Sequence, residues 1–287
     1  MSTIPAPQFW ELGNAEYHAD TTAISNSGLK LVIQNPALYY YQKLSGLYTP
    51  KPKKHFEEGT ALDEAILRPS KYVGEHVIHY PQSCLTAAGA KHSAKCKEFE
   101  EANPGKVCVK ESDELCRWIH AIRMHKAARS LLEADCTYQA TIAWHDQEFG
   151  VNRRSRFDCL HKDGALIIDL KTTGTDASPQ ECASECAKWG YHRQAAFYQD
   201  AVEAMYGERP PFFFVFVAKE APYRVEVFEL DNEFLTIGRK QNARGLRTYA
   251  ECLKSGVWQP ATHGNATILS PPAWLRHQHE WEFDTNG

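Results

Sequence analysis

The chain has 287 residues and a net charge of −4, and it is 43% hydrophobic, with 13 Phe and 7 Trp. That length and apolar content suit one large α/β domain, or two small ones, and exclude a disordered chain. No apolar run nears the ~20 residues of a membrane-spanning helix, and the negative balance excludes a uniformly basic surface while leaving room for a local basic track.

The first residues, Met-Ser-Thr-Ile-Pro-Ala-Pro-Gln, carry neither the basic region nor the apolar core of a secretory signal. A soluble cytoplasmic protein with no membrane partner is therefore expected. Ser25 precedes the periodic Leu29, Val32 and Ile33, and Asn35-Pro36 places proline at a first helical position. Helices are predicted over about 25–34 and 36–45. A basic loop over 46–58 leads to a helix starting near Thr60. Residues 79–107 read as a polar, mainly helical insertion. Residues 111–132 read as one amphipathic helix, with Leu115, Trp118, Ile119, Ile122, Ala127 and Leu131 at helical spacing.

Strands are predicted at about 137–145, 150–160 and 165–171. Ser178-Pro179-Gln180-Glu181 is a capping box with proline at the first position, opening a helix that bends near Gly190 and stops at Gly207. Phe212–Ala218 is continuously apolar, the mark of a strand buried on both faces. Tyr223–Leu230 alternates and pairs beside it, and Asp231 then caps a long helix ending near Gly256. The order of elements predicts an α/β fold with a mixed central sheet flanked by helices. No repeat or low-complexity linker interrupts it, so one domain is expected. It divides into a mainly helical part over 1–135, a core over 136–256 and a tail over 257–287.

The candidate site lies between Phe157 and Thr172, where two apolar runs flank a Lys162-Asp163-Gly164 turn. Alternation along a strand puts Asp169 and Lys171 on one face and Ile168 and Leu170 on the other, and pairing across the hairpin brings Asp158 near Asp169. Two carboxylates and an ammonium on one face suit a Mg²⁺ site that cleaves phosphodiesters, because hard cations take oxygen ligands. An exposed hairpin with charged edges is the plainer alternative. Gln194 and Tyr198 are four apart on one helical face.

Asp-hydrophobe-Lys-Thr-Thr followed by a helix carrying Gln-x-x-x-Tyr resembles the PD-(D/E)xK nucleases, in their RecB-like branch. The nearest resemblance is to the nuclease domain of the RecE (exonuclease VIII) family. It rests on Ile24 through Leu29, Asn35-Pro36-Ala37-Leu38-Tyr39, Gly59-Thr60-Ala61-Leu62, Arg156-Phe157-Asp158, Ile168 through Thr173, Tyr191 through Tyr198 and Leu269 through Leu275. It implies a PD-(D/E)xK core and a metal-dependent exodeoxyribonuclease acting on double-stranded DNA ends. Such an enzyme degrades the 5′-ended strand without ATP, and the 3′ overhang passes to a RecT-like single-strand annealing protein. The resemblance also implies a homo-oligomeric ring. Asp158, Asp169 and the Leu170 carbonyl would hold Mg²⁺, or Mn²⁺ in its place, with Lys171 acting on water and phosphate. Gln194 and Tyr198 would brace the site or touch DNA, or form a buried packing pair.

The chain departs from the family at Asp63, where RecE-like enzymes carry histidine. Asp63 can serve as a metal ligand, or close a capping box with Thr60. Ser25 and Ser27 can bind phosphate at a helix N-terminus or simply cap it. Arg154 and Arg156 alternate in step with Asp158, which makes them DNA-binding candidates within the track Arg153-Arg154-Ser155-Arg156. The other basic tracks, Lys51-Pro52-Lys53-Lys54 and Arg239-Lys240 with Arg244 and Arg247, read equally as solvated faces. Nine cysteines fit reduced thiols. A Cas4-type iron–sulfur nuclease clusters three C-terminal cysteines, and only Cys252 follows Tyr198 here. An inactive DNA-binding scaffold of the same fold is the remaining alternative.

Overall fold

In the computed structural model the described residues are 2–49, 62–63, 65–67, 77–104, 106–110, 113–174, 176–259, 266 and 268–278. In chain order the strands are β1 (Gln8–Trp10), β2 (Ile24–Ser25), β3 (Val77–His79), β4 (Val107–Val109), β5 (Cys136–Tyr138) and β6 (Thr141–Asp146). They continue with β7 (Val151–Arg156), β8 (Cys159–His161), β9 (Ile167–Thr173), β10 (Phe212–Ala218) and β11 (Val225–Glu229). The labelled helices are α1 (Asn14–Ala19), α2 (Asn26–Gln34), α3 (Pro36–Tyr39), α4 (Ser93–Ala102) and α5 (Asp113–Met124). After them come α6 (Lys126–Leu132), α7 (Pro179–Trp189), α8 (Tyr191–Tyr206), α9 (Asn232–Ser255) and α10 (Ala273–Gln278).

Two sheets carry the fold. One has the order β1-β6-β7-β2, the other β11-β10-β9-β8-β5, and β3 and β4 form a separate parallel pair. In the five-stranded sheet β10 runs parallel to β9 and antiparallel to β11, so the sheet is mixed. The alternation of β10 explains its uninterrupted apolar sequence. Phe212, Phe214 and Phe216 enter one core with Phe197, Leu235 and Leu246, while Val215 and Val217 enter a second core with Ile168, Leu170, Trp118 and Ile122. Each fully buried phenylalanine contributes about 1.5–3 kcal/mol relative to exposure. Helices cover both faces, and the predicted α/β class with a helix-flanked mixed sheet is the observed one.

Helix α9 crosses close to α8 because Gly238 has no side chain. A Cβ there would lie 2.4 Å from the His192 carbonyl oxygen. Local signals set the helix ends, as predicted at all but Gly190. Ser178 accepts from the Glu181 N–H and Asp231 from the Phe234 N–H, and Gly190, Gly207 and Gly256 are left-handed.

Several predicted elements differ. The helix opening at Ser178 does not merely bend at Gly190 but ends there, with α8 starting anew, and the helix over 36–45 passes from α3 into a π-helix over Tyr40–Leu44. The single helix over 111–132 breaks at His125, whose Nδ1 accepts from the Ala128 N–H and so caps α6. The helical insertion over 79–107 keeps only α4 as an α-helix, and its two ends pair as β3 and β4. The strands at 137–145 and 150–160 each break once, at Gln139–Ala140 and Phe157–Asp158, directly opposite one another. The backbone ladder carries on through the break, from Gln139 N–H to the Asp158 carbonyl (3.2 Å) and from Phe157 N–H to the Ala140 carbonyl (2.9 Å). One long ribbon thus bends, leaving the five-stranded sheet and entering the four-stranded one. Gln139 turns the corner in a left-handed conformation, with φ of 55°.

Candidate active site

The bend determines where Asp158 sits. It occupies the corner itself, and the β8–β9 register, Cys159 opposite Ile168, places it across from Asp169 as predicted. Its Oδ2 accepts from the Leu170 N–H (3.3 Å) and its Oδ1 from the Gln139 amide (3.5 Å). Burial and the neighbouring Asp169 carboxylate push the Asp158 carboxyl up to about 7, against the opposing pull of Lys171 and its two hydrogen bonds.

Asp169 is 1% exposed, on the face of β9 opposite Ile168 and Leu170. Its Oδ1 accepts from the Gln194 amide on α8 (2.5 Å), and its Oδ2 pairs with the Lys171 ammonium. Burial opposes the charge on Lys171, but the Asp169 and Asp158 carboxylates outweigh it and hold the ammonium above its ordinary value. The ammonium lies 5.0 Å from the Tyr191 ring and 5.9 Å from the Phe214 ring. Tyr198 packs edge-on against Phe157, with centroids 5.0 Å apart. Burial, then Tyr17, Asp169 and Asp158, keeps its phenol protonated well above the usual range. Asp158, Asp169, Lys171, Gln194 and Tyr198 are therefore one cluster, in which Gln194 holds a carboxylate and Tyr198 is largely a packing residue.

Other predicted site residues lie elsewhere or are occupied. Arg154 is 3% exposed and both its terminal nitrogens are engaged: it pairs with Asp20 (2.6 Å) and donates to the carbonyls of Tyr17 (2.8 Å), Asp20 (2.8 Å) and Ala23. It anchors the strand to the N-terminal segment and is withdrawn as a DNA contact. Arg156 shares its face, as alternation requires, but that face meets Tyr17. The half-buried Arg156 guanidinium lies 5.1 Å from the Tyr17 ring and donates to the Leu12 carbonyl (3.0 Å). Ser25 is buried and caps α2 by accepting from the Gly28 N–H (3.2 Å), while Ser27 bonds the Ser25 hydroxyl (3.0 Å). The capping reading holds for this pair.

Asp63 is helical and half-buried. Its proposed box partner Thr60, like Gly59, Ala61 and the basic track at 51–54, lies outside the described residues. Among the described residues no three His, Cys, Asp or Glu side chains gather closely enough to hold a metal. Asp63 is thus not brought into one set with Asp158 and Asp169.

Sequence reasoning missed Gln139, Tyr17 and Tyr191. The register Thr141 opposite Arg156, extended two residues, puts Gln139 opposite Asp158, so the hairpin pattern held that signal. Tyr17 had none, because its contacts are tertiary, while Tyr191 opened the stretch Tyr191 through Tyr198 without a role of its own being read there.

The donor set fits a hard divalent cation. Two carboxylates are pressed together, and the buried Asp169 Oδ2 meets the Lys171 ammonium, which both carboxylates share. A residue's N–H and C=O leave a strand on the same edge, which puts the Leu170 carbonyl on the Asp158 side as well. A cation would relieve the repulsion that raises Asp158.

A family described as a PDDEXK-like domain of unknown function, DUF3799, matches residues 25–270. Among solved structures, a candidate exonuclease from Eubacterium rectale has a TM-score of 0.62 at 15% identity, over 94% of this chain and 98% of that one. At that identity the match shows a common fold. A phage-related exonuclease from Haemophilus somnus is 14% identical over 82% of this chain and 96% of its own, with a TM-score of 0.34. No curated protein matches the chain.

Proposed function

Because the chain belongs to the PDDEXK-like DUF3799 family, we propose that it is a Mg²⁺-dependent deoxyribonuclease whose centre is Asp158, Asp169 and Lys171. The observation that carries this reading is the two carboxylates sharing one ammonium at the ribbon corner, with Gln194 bracing Asp169. Families of this fold need acids and a lysine in that arrangement, and an architectural cluster would be neutralised more completely.

Asp158, Asp169 and the Leu170 carbonyl would hold Mg²⁺, with Mn²⁺ able to substitute. The cation would supply Lewis-acid charge at the scissile phosphate. In the metal-free protein Lys171 is an ammonium, since the Asp169 and Asp158 carboxylates hold its proton on. It therefore donates to phosphate oxygens and offsets the charge that builds as a water oxygen bonds to phosphorus and the ester oxygen leaves. Gln194 is a positioning residue: its amide occupies Asp169 Oδ1 and leaves Oδ2 turned toward Lys171. Tyr198 and Phe157 wall the site and exclude water from that side.

The finer reading follows the RecE resemblance. The substrate is linear double-stranded DNA, digested from an end along the 5′-ended strand without ATP. The product is a 3′ overhang for a RecT-like annealing protein in recombination. A cytoplasmic, homo-oligomeric ring is part of the same proposal.

Linear duplex labelled at one or the other 5′ or 3′ terminus, with Mg²⁺ and with EDTA, tests all of this. Early release of the 5′ label in Mg²⁺ is expected, with no loss in EDTA and none from closed circles. Cutting of closed circles would make the enzyme an endonuclease. Activity in EDTA would remove the metal reading, and binding without cleavage would leave a scaffold.

A further inference from the structure

Trp189 ends α7 with its indole 45% exposed, an unusual place for so large an apolar side chain. Two ammonium groups lie over its ring, and a guanidinium folds over the next residue, Gly190. Lys188 Nζ lies 5.0 Å and Lys30 Nζ 5.6 Å from the ring, and Lys30 also donates to the Trp189 carbonyl (3.2 Å). Arg193 folds back over Gly190, so closely that a Cβ at Gly190 would lie 2.2 Å from its Nη2. Gly190 keeps a left-handed φ of 77°, which lets α8 start beside the end of α7 and delivers Arg193 to this spot.

None of the three cations has a carboxylate partner among the described residues. Glu185, one turn back on α7, pairs with none of them. Burial lowers the affinity of Arg193 for its proton, and burial with the charge of Arg193 does the same to Lys30. The buried Arg153 guanidinium, by contrast, meets two acids, Asp146 and Asp200. A cationic group left partly desolvated and facing another cation lacks an anion.

The patch borders the catalytic cluster. Tyr191, two residues beyond Trp189, stands 5.0 Å from Lys171, and Gln194, next to Arg193, holds Asp169. An exposed aromatic face ringed by unpaired cations is the arrangement that binds single-stranded nucleic acid, bases stacking and phosphates pairing.

We propose that Trp189, Lys30, Lys188 and Arg193 form a single-strand DNA subsite, in which one base stacks on Trp189 and a backbone phosphate lies between Lys30 and Arg193. It rests on the nuclease reading and deepens it by naming where the strand next to the scissile phosphate is held.

Fluorescence anisotropy with a labelled oligothymidylate, in EDTA, on the full chain tests it over a range of salt. Trp189→Ala is expected to weaken binding about 5- to 150-fold, and Trp189→Phe to retain most of it. Lys30→Ala and Arg193→Ala are each expected to lower the slope of log K against log salt by about 0.7. Melting temperatures should stay near wild type, because Trp189 and Lys30 are exposed. Unchanged affinity and slope in all three alanine variants, with the wild type still cleaving duplex, would overturn the subsite alone. A wild type that neither binds nor cleaves would overturn the nuclease reading and the subsite with it.

Discussion

Two groups of buried charge sit a few residues apart on the same ribbon and are treated in opposite ways. On β7, Arg153 pairs with Asp146 (2.7 Å) and Asp200 (2.9 Å), and Arg154 with Asp20 and three backbone carbonyls. Both terminal nitrogens of each cation there meet an acid or a carbonyl, and the rings of Trp144 and Phe197 cover Arg153 at 4.7 Å and 4.2 Å. At the corner, two carboxylates share one ammonium, and burial with the Asp169 charge beside it lifts Asp158 to about 7. Compensated buried charge is architecture. Buried charge left short of a cation marks a place where a cation or a phosphate arrives.

The comparison breaks most visibly on its architectural side. Arg154→Ala strips Asp20 of its partner and leaves several carbonyls without a donor. Removing one member of a buried pair costs about 3–5 kcal/mol. At about 2–4 °C per kcal/mol, a fall of roughly ten degrees in Tm is expected, read by thermal denaturation. A loss of DNA affinity at unchanged Tm would instead return Arg154 to the DNA interface.

On the functional side the same surgery should remove chemistry well beyond what any loss of stability explains. Asp169→Ala and Lys171→Ala are each expected to lower cleavage about 10²–10³-fold or more, with duplex binding kept. Single-turnover rates on an end-labelled duplex, alongside Tm, separate the two effects. Near wild-type rates in either variant would mean that the corner is only architecture.

The raised carboxyl of Asp158 gives a titration that sharpens the contrast. Its folded value lies above its unfolded value, so the folded metal-free protein binds the extra proton. The associated stability is fully present below about 4 and is lost as pH rises toward about 7, where the carboxyl ionises beside Asp169. Metal-free Tm should therefore be a few degrees higher at pH 5.5 than at pH 8, and Asp158→Asn should flatten that slope. Mg²⁺ should raise Tm more at pH 8 than at pH 5.5, because ligand binding then displaces no proton. A flat profile in the wild type would remove Asp158 from the coupled pair.

Much of this was legible in the sequence where the signal is local. Ser178, Asp231, Gly207 and Gly256 mark helix ends by backbone chemistry alone, and the ends fall there, whereas Gly190, read as a bend, ends one helix and starts another. Strand alternation placed Asp169 and Lys171 on one face, and hairpin register brought Asp158 to them. What could not be read depends on distant partners. Nothing near Arg154 announces Asp20, more than a hundred residues earlier, so its spacing suggested a DNA contact where the fold makes an ion pair. The ribbon bend was equally hidden, because Phe157 and Ala140 are ordinary strand residues and only the two sheets demand a corner.

Gln139 joins both sides of the comparison, and its effect should be the smallest. It stands at the corner in a left-handed conformation that costs a non-glycine residue about 1–2 kcal/mol. Its N–H bonds the Asp158 carbonyl while its side chain reaches Asp158 Oδ1, so one residue turns the chain and lowers the carboxyl's affinity for a proton. Gln139→Gly relieves the strain and deletes the donor; Gln139→Ala deletes the donor and keeps the strain. Both should move the midpoint of the Asp158-dependent profile upward by a fraction of a unit, since a hydrogen bond to the ionised form is lost. Their stabilities should differ by about 1 kcal/mol, glycine the more stable. If glycine restores stability but the midpoint does not move, the side chain is only a passenger of the turn. If the midpoint moves equally in both while stability diverges, bending the ribbon and tuning the carboxylate are separable duties of one residue.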